Sequence, residues 1–151
     1  LAVEKYLEKY YIVRIAWVFG VNGKNFIKTM LKLSETHSEL NVVNDQIGSP
    51  TYTRDLAVLL ADMAEREAYG RYHATNEGLC TWYDFAKEIF RQAGKEIVIH
   101  PVTSEQFPSK AKRPHNSRLN KDKLEENGFR RLPAWQDALG RYLEILLQEK
   151  K

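Results

Sequence analysis

Residues 42–57, reading Val-Val-Asn-Asp-Gln-Ile-Gly-Ser-Pro-Thr-Tyr-Thr-Arg-Asp-Leu-Ala, constrain the fold of this chain more than any other stretch. A β-branched run ends in a polar turn punctuated by Gly48 and Pro50, and a helical pattern begins directly after it. Such a segment is a strand that delivers a stiff loop of hydrogen-bonding side chains to the carboxyl edge of a sheet. Open α/β folds hold their ligands at that edge.

The rest of the chain alternates in the same way. Residues 1–9 have a helical pattern, with Val3, Leu7 and Tyr10 on one side, and run into a buried strand over Tyr11 to Phe19. Gly20 and Gly23 break that strand. Asn25 to Leu33 then reads as an amphipathic helix with Phe26, Ile27, Met30, Leu31 and Leu33 inward. A strand over Leu40 to Asn44 follows, and Thr53 is the expected N-cap of a helix through Leu56, Leu59, Leu60 and Met63. Arg71 to Ala74 is a short strand, Thr81 caps a helix carrying Trp82, Phe85, Ile89 and Phe90, and Glu96 to His100 is a strand closed by Pro101. After a loop containing Pro108 and Pro114, Asn120 opens a short helix stopped by Gly128. A last helix from about Ala134 to Gln148 presents Trp135, Leu139, Tyr142, Leu143 and Leu146. Strands alternating with helices place the chain in the α/β class.

Charge and cysteine content narrow the function. The 23 Lys+Arg are interleaved with 20 Asp+Glu except around Lys110–Arg118 and at Lys150-Lys151, so no nucleic-acid partner is expected. No apolar run is long enough for a membrane span and no basic-then-apolar signal is present. The single cysteine, Cys80, rules out an internal disulfide framework and fits a reducing compartment, so a cytoplasmic location is expected. No His/Cys/Asp spacing suggests a metal centre, and His37, His73, His100 and His115 read as structural.

Five segments carry a resemblance. They are Asp45-Gln46-Ile47-Gly48-Ser49-Pro50-Thr51-Tyr52; Arg14-Ile15-Ala16-Trp17-Val18-Phe19-Gly20 with Gly23-Lys24-Asn25-Phe26-Ile27-Lys28-Thr29-Met30; residues 70–90, from Gly70-Arg71-Tyr72-His73 through Thr81-Trp82 to Phe90; Arg113-Pro114-His115-Asn116-Ser117-Arg118-Leu119; and Lys123-Leu124 to Gly128-Phe129, ending Leu132-Pro133-Ala134-Trp135-Gln136-Asp137-Ala138-Leu139. In order and spacing the chain resembles the dTDP-4-dehydrorhamnose reductases, a branch of the extended short-chain dehydrogenase/reductases. Composition alone would make Trp17 core; the resemblance instead sets its indole against the deoxysugar, where a flat apolar face and one N–H suit a sugar ring. It implies substrate contacts from Asn25, Lys28, Gln46, Ser49 and Arg113 as well, with Ile15 and Ala16 beside the nicotinamide. A guanidinium such as Arg113 suits a diphosphate because its planar fork makes two charge-assisted bonds. Trp82 and Phe85 read as packing.

The resemblance covers the carboxy-terminal half of such a reductase. The implied architecture is the last part of a Rossmann-type NAD(P)-binding fold with the smaller substrate-binding lobe, residues 1–151 forming the sugar-nucleotide-binding part. The family's Gly-x-x-Gly-x-x-Gly phosphate loop is not found here. Its Tyr-x-x-x-Lys pair is expected just before Leu1, since the residues four beyond Tyr6 and Tyr10 are Tyr10 and Arg14. A first residue of leucine agrees with roughly 130 preceding residues in an ordinary two-lobed protein. The expected activity of the whole is NADPH- or NADH-dependent reduction of the 4-keto group of dTDP-4-dehydrorhamnose, with Mg2+ and a homodimer both compatible and this chain alone inactive. Two alternatives stand beside it: a reductase-like regulatory subunit of the methionine adenosyltransferase type, and another nucleotide-sugar epimerase or dehydratase.

Overall fold

The structure is a computed structural model that describes residues 2–107 and 113–148. In chain order it contains α1 (Ala2–Tyr6), β1 (Tyr11–Arg14), β2 (Val18–Phe19), α2 (Phe26–Leu33), β3 (Glu39–Val43), β4 (Ile47–Gly48), β5 (Thr51–Tyr52), α3 (Thr53–Ala64), β6 (Gly70–His73), β7 (Asn76–Glu77), β8 (Cys80–Thr81), α4 (Trp82–Gln92), β9 (Val98–Val102), α5 (Asp122–Glu126), β10 (Leu132–Ala134) and α6 (Trp135–Gln148). The strands pair in twos. β1 with β6, β2 with β5, β3 with β9 and β7 with β10 are parallel, and β4 with β8 is antiparallel. Parallel pairs require crossovers, which the helices between them supply.

Two apolar clusters hold these pieces together. One gathers Ile27, Met30 and Leu31 of α2, Phe85, Ile89 and Phe90 of α4, and Leu139, Tyr142 and Leu143 of α6 around Phe19 and Tyr52. The other packs Leu56, Leu59 and Met63 of α3 against Tyr72, Leu124, Phe129 and Leu132. The stripe expected on the last helix is buried throughout, as are Ile27, Met30 and Leu31 on α2. At the start of α4 the expected capping box is complete. The Asp84 N–H donates to the Thr81 hydroxyl at 3.1 Å, and the Thr81 N–H donates back to the Asp84 carboxylate at 3.0 Å.

Several elements depart from the sequence reading. The single strand expected over Tyr11 to Phe19 is two, because the chain changes neighbours midway. β1 pairs with β6 and β2 with β5. The turn between them is fastened by Thr51, whose hydroxyl donates to the Ala16 carbonyl at 2.6 Å and whose N–H donates to the Trp17 carbonyl at 3.1 Å. Trp17 accordingly takes φ 48°, the one positive φ of a non-glycine residue among those described. Thr53 is the first helical residue rather than the cap. Tyr52 occupies the cap position without a side-chain bond, because it still belongs to β5. Pro101 lies inside β9 opposite Val42, tolerated because β9 pairs on one side with β3 and needs no N–H on the other. α1 buries none of its residues, and Val3 and Leu7 on its expected inner side are exposed. α5 opens at Asp122, with Asn120 accepting the Asp122 N–H at 2.8 Å.

Cys80 on β8 is 4% exposed, and burial pushes its thiol up to about 12. At pH 8 roughly one thiol in 10⁴ is then the reactive thiolate. Labelling by an aromatic disulfide reagent is expected to be at least a hundredfold slower for the native protein than in denaturant. Rapid native labelling would show that β8 opens readily.

Candidate functional site

The motif that dominates the sequence forms one wall of a cavity of about 450 Å³. Phe26 and Met30 come from α2, Asn41, Val42 and Val43 from β3, Gln46 from the turn after it, and Trp82 from the first position of α4. Phe107 and Arg113 close the mouth from the long connection that follows β9. An aromatic, mostly apolar slot with an arginine at its rim suits a ligand with a flat ring and an anionic part. Arg113 is exposed and pairs with no carboxylate among the described residues.

The wall is stiffened from behind. Trp17 stacks on Trp82 with ring centroids 3.7 Å apart and an interplanar angle of 13°. Gly48 lies against the back of the Trp17 ring, where a Cβ would come within 2.9 Å of Cε2 and within 2.6 Å of the Ser117 hydroxyl. A polar relay then runs along the floor. The Trp82 indole N–H donates to Gln46 Oε1 at 3.2 Å, Gln46 Nε2 donates to the Ser104 hydroxyl at 2.9 Å, and that hydroxyl donates to the Asp45 carboxylate at 2.6 Å. The Ser104 backbone N–H reaches the other Asp45 oxygen at 2.9 Å. These two bonds from Ser104 hold the Asp45 carboxyl below the usual carboxylate range.

The residues singled out from the sequence divide accordingly. Gln46 and Arg113 line the cavity, and Trp17 backs it through Trp82. Ser49 is 3% exposed and donates to the Gly78 carbonyl at 2.5 Å, away from the cavity. Asn25 caps α2 by accepting the Lys28 N–H at 3.0 Å, while its amide donates to the Gly20 carbonyl and the Tyr142 hydroxyl. The Lys28 ammonium donates to the carbonyls of Val21 and Gly23. Both side chains are therefore spent on shaping the 20–28 turn, and neither lines the cavity. The motif Arg113-Pro114-His115-Asn116-Ser117 acquires a reason. The Ser117 N–H and hydroxyl both donate to the Ile47 carbonyl, at 2.9 Å and 3.1 Å, and this docks the stretch on β4 and sets Arg113 four residues upstream. Lys110, Lys112 and Lys150-Lys151 lie outside the described residues.

Sequence reading missed Trp82, whose place at the start of α4 reads as packing, and Phe107, which carries no periodic signal at all. It also passed over a Tyr-x-x-x-Lys spacing at Tyr83 and Lys87. That pair lies on α4, with the Lys87 ammonium 5.5 Å from the Tyr83 ring centroid, and it borders a different hollow with Phe90 and Ile97. Such i, i+4 contacts are common on helix surfaces.

A larger hollow of about 550 Å³ between α3 and the stretch from Gly128 to Pro133 is a weaker candidate, because most of its charged side chains are already paired. Arg66 pairs with Asp62, Arg131 with Asp122 and Glu125, and Asp55 with Arg141. Among the described residues no cluster of three or more His, Cys, Asp or Glu could hold a metal ion, which leaves the Mg2+ expectation without support. No described helix is long and apolar enough to cross a membrane. For a nicotinamide dinucleotide, the Ile15–Trp17 turn offers little: Thr51 already holds the Ala16 and Trp17 carbonyls, and Ile15 is 39% exposed. That edge fits contact with a flat ring and does not fit the holding of phosphates.

Comparison with known proteins agrees with this picture. Residues 1–148 match the family model described as the RmlD substrate binding domain. The chain is 47% identical over 134 residues to a spore coat polysaccharide biosynthesis protein of Bacillus subtilis, covering 88% of this chain and 46% of that one. A dTDP-4-dehydrorhamnose reductase structure from Clostridium acetobutylicum superposes with TM-score 0.92 at 44% identity, over 96% of this chain and 51% of that one. Another, from Bacillus anthracis in complex with NADP, gives TM-score 0.91 at 41% identity, over 95% and 51%. The α/β fold is thus of the Rossmann-type reductase kind, and the chain spans about half the length of these relatives.

Proposed function

The chain belongs to the RmlD substrate binding domain family, and from that premise we propose that it forms the sugar-nucleotide-binding part of a cytoplasmic dTDP-4-dehydrorhamnose reductase. The observation that supports this reading is the cavity itself. It is an aromatic slot of about 450 Å³ with Arg113 at its mouth, built on the Asp45–Tyr52 motif. In this reading the thymine ring and deoxysugar lie against Trp82 and Gln46, backed by Trp17, and Arg113 meets the diphosphate. Asn25, Lys28 and Ser49 contribute by fixing the backbone around the slot. The nicotinamide dinucleotide, NADPH or NADH, supplies the hydride for the 4-keto carbon and meets this chain at Ile15 and Ala16. The groups that hold its phosphates and the proton donor to the forming alkoxide then lie elsewhere in the reductase, because hydride transfer requires the nicotinamide ring and an acid both to be held against the carbonyl. The 151-residue chain is accordingly expected to bind the sugar nucleotide without reducing it.

Titration of the chain with thymidine 5′-diphosphate, followed by calorimetry, tests the binding. Saturable one-site binding is expected, and Arg113→Ala should weaken it by roughly 10- to 100-fold through loss of charge-assisted bonds. Binding that is absent, or indifferent to both Arg113→Ala and Trp82→Ala, would sink the assignment of this cavity.

A further inference from the structure

We propose that Asp45 is a positioning residue, a clasp that fixes Arg113 over the cavity by holding Ser104 and His115, which precede and follow it in the chain, at the turn after β3. The proposal rests on the reading of the cavity as a nucleoside-diphosphate site.

On one side, both Asp45 oxygens are taken by Ser104, from its hydroxyl at 2.6 Å and its N–H at 2.9 Å. On the other, His115 Nδ1 lies 3.0 Å from the Asp45 carbonyl oxygen and 3.6 Å from its carboxylate. The Ile47 N–H donates to the His115 carbonyl at 2.8 Å beside it. Ser104 and His115 thus flank Arg113 in sequence and meet at one aspartate. The relay also has a direction. Trp82 donates to Gln46, Gln46 to Ser104 and Ser104 to Asp45, so every hydrogen bond points the same way. A run of donors ordered like this needs an acceptor-only group at its end, and an ionised carboxylate is the side chain that meets the requirement. An asparagine there would turn an N–H2 toward one of the two Ser104 donors and undo that contact. Among the described residues no hydrogen bond or ion pair joins Arg113 to Asp45, so an effect of Asp45 that depends on Arg113 passes through the placement of Arg113, whereas an effect carried by Gln46 and Trp82 persists when Arg113 is removed.

The test is a double-mutant cycle on thymidine 5′-diphosphate affinity with wild type, Asp45→Asn, Arg113→Ala and the double variant. Asp45→Asn is expected to weaken binding about tenfold in the wild-type background and by less than about twofold when Arg113 is already alanine. Equal losses in both backgrounds would show that Asp45 acts on something other than Arg113 and would overturn the clasp. If the wild type does not bind the diphosphate, the cavity reading fails by itself, and the clasp is judged by deuterium exchange. The Ser104 amide should then exchange at least about tenfold faster in Asp45→Asn than in wild type. Unchanged exchange there would also overturn it. Circular dichroism of each variant verifies that the fold is retained.

Discussion

Asn76→Ala is expected to cost roughly 3–5 kcal/mol of stability, the largest loss from any single substitution considered, because this side chain is fully buried and every polar atom on it is used. Its Oδ1 accepts the Tyr52 N–H at 2.8 Å, and its Nδ2 donates to the Asp55 carboxylate at 2.7 Å and the Pro133 carbonyl at 2.9 Å. Alanine would strand the buried Tyr52 N–H and part of a carboxylate whose side chain is 8% exposed, and would release the Pro133 carbonyl. Asp55 would keep its forked pair with Arg141, at 2.7 Å and 2.8 Å, so the loss stops short of expelling the charge. The hub ties β5, β7, β10, α3 and α6 together, and the fall in Tm should be roughly 10 °C or more. Asn76→Asp offers an internal check. It keeps the acceptor for Tyr52 but sets a second carboxylate against Asp55, so it should be no more stable than alanine despite its shape. Urea unfolding measures both, and a midpoint within error of wild type for either would refute this account of the hub.

Gly48→Ala should remove the stacked indole pair while leaving the fold standing. The added Cβ would lie 2.9 Å from Trp17 Cε2, 3.0 Å from Cζ2 and 2.6 Å from the Ser117 hydroxyl oxygen. Ser117 is tied to the Ile47 carbonyl, and Trp17 is stacked on Trp82 at 3.7 Å, so both neighbours are held in place. Overpacking of this kind costs about 1–3 kcal/mol, which a domain of this size survives. The Trp17 backbone is clamped by Thr51 on both its own and the Ala16 carbonyl, so the strain falls on the Trp17 side chain and its stack on Trp82. Two readouts should change together. The far-ultraviolet exciton signal of the stacked indoles should be lost, and affinity for thymidine 5′-diphosphate should fall at least about tenfold. A variant that keeps the exciton signal yet loses affinity would place the role of Gly48 in its backbone rather than in the absence of a side chain.

Local chemistry made much of the fold legible in the sequence. Thr81 and Asp84 spell out a capping box that needs no tertiary partner, and the Trp135-to-Leu146 stripe has a 3.6-residue period that admits one buried face. The motif at Asp45–Tyr52 pointed to the right edge of the right strand. Gln46 and Arg113, named through the family resemblance of that motif and of the Arg-Pro segment, both line the cavity. Asn25 and Lys28 looked equally apt, since a helix start with a nearby lysine is the same pattern whether it holds an anion or its own turn. The hydrogen bonds to Gly20, Val21 and Gly23 are what separate the two cases.

The sequence by itself determined the α/β class, the helices and the composition of the cavity's motif, because those follow from period, capping and turn chemistry within a dozen residues. Tertiary structure alone decided where the Tyr11–Phe19 run breaks, since the break comes from exchanging β6 for β5, with Tyr11 facing Gly70 and Val18 facing Thr51, far along the chain. It alone turned Trp82 from packing into the cavity wall, by stacking it on Trp17. It also brought Ser104 and His115 to one aspartate, the first at its carboxylate and the second at its backbone carbonyl. Each of these depends on a partner distant in sequence, and a hydrogen bond or a stacked ring leaves no periodic trace in the residues that will make it.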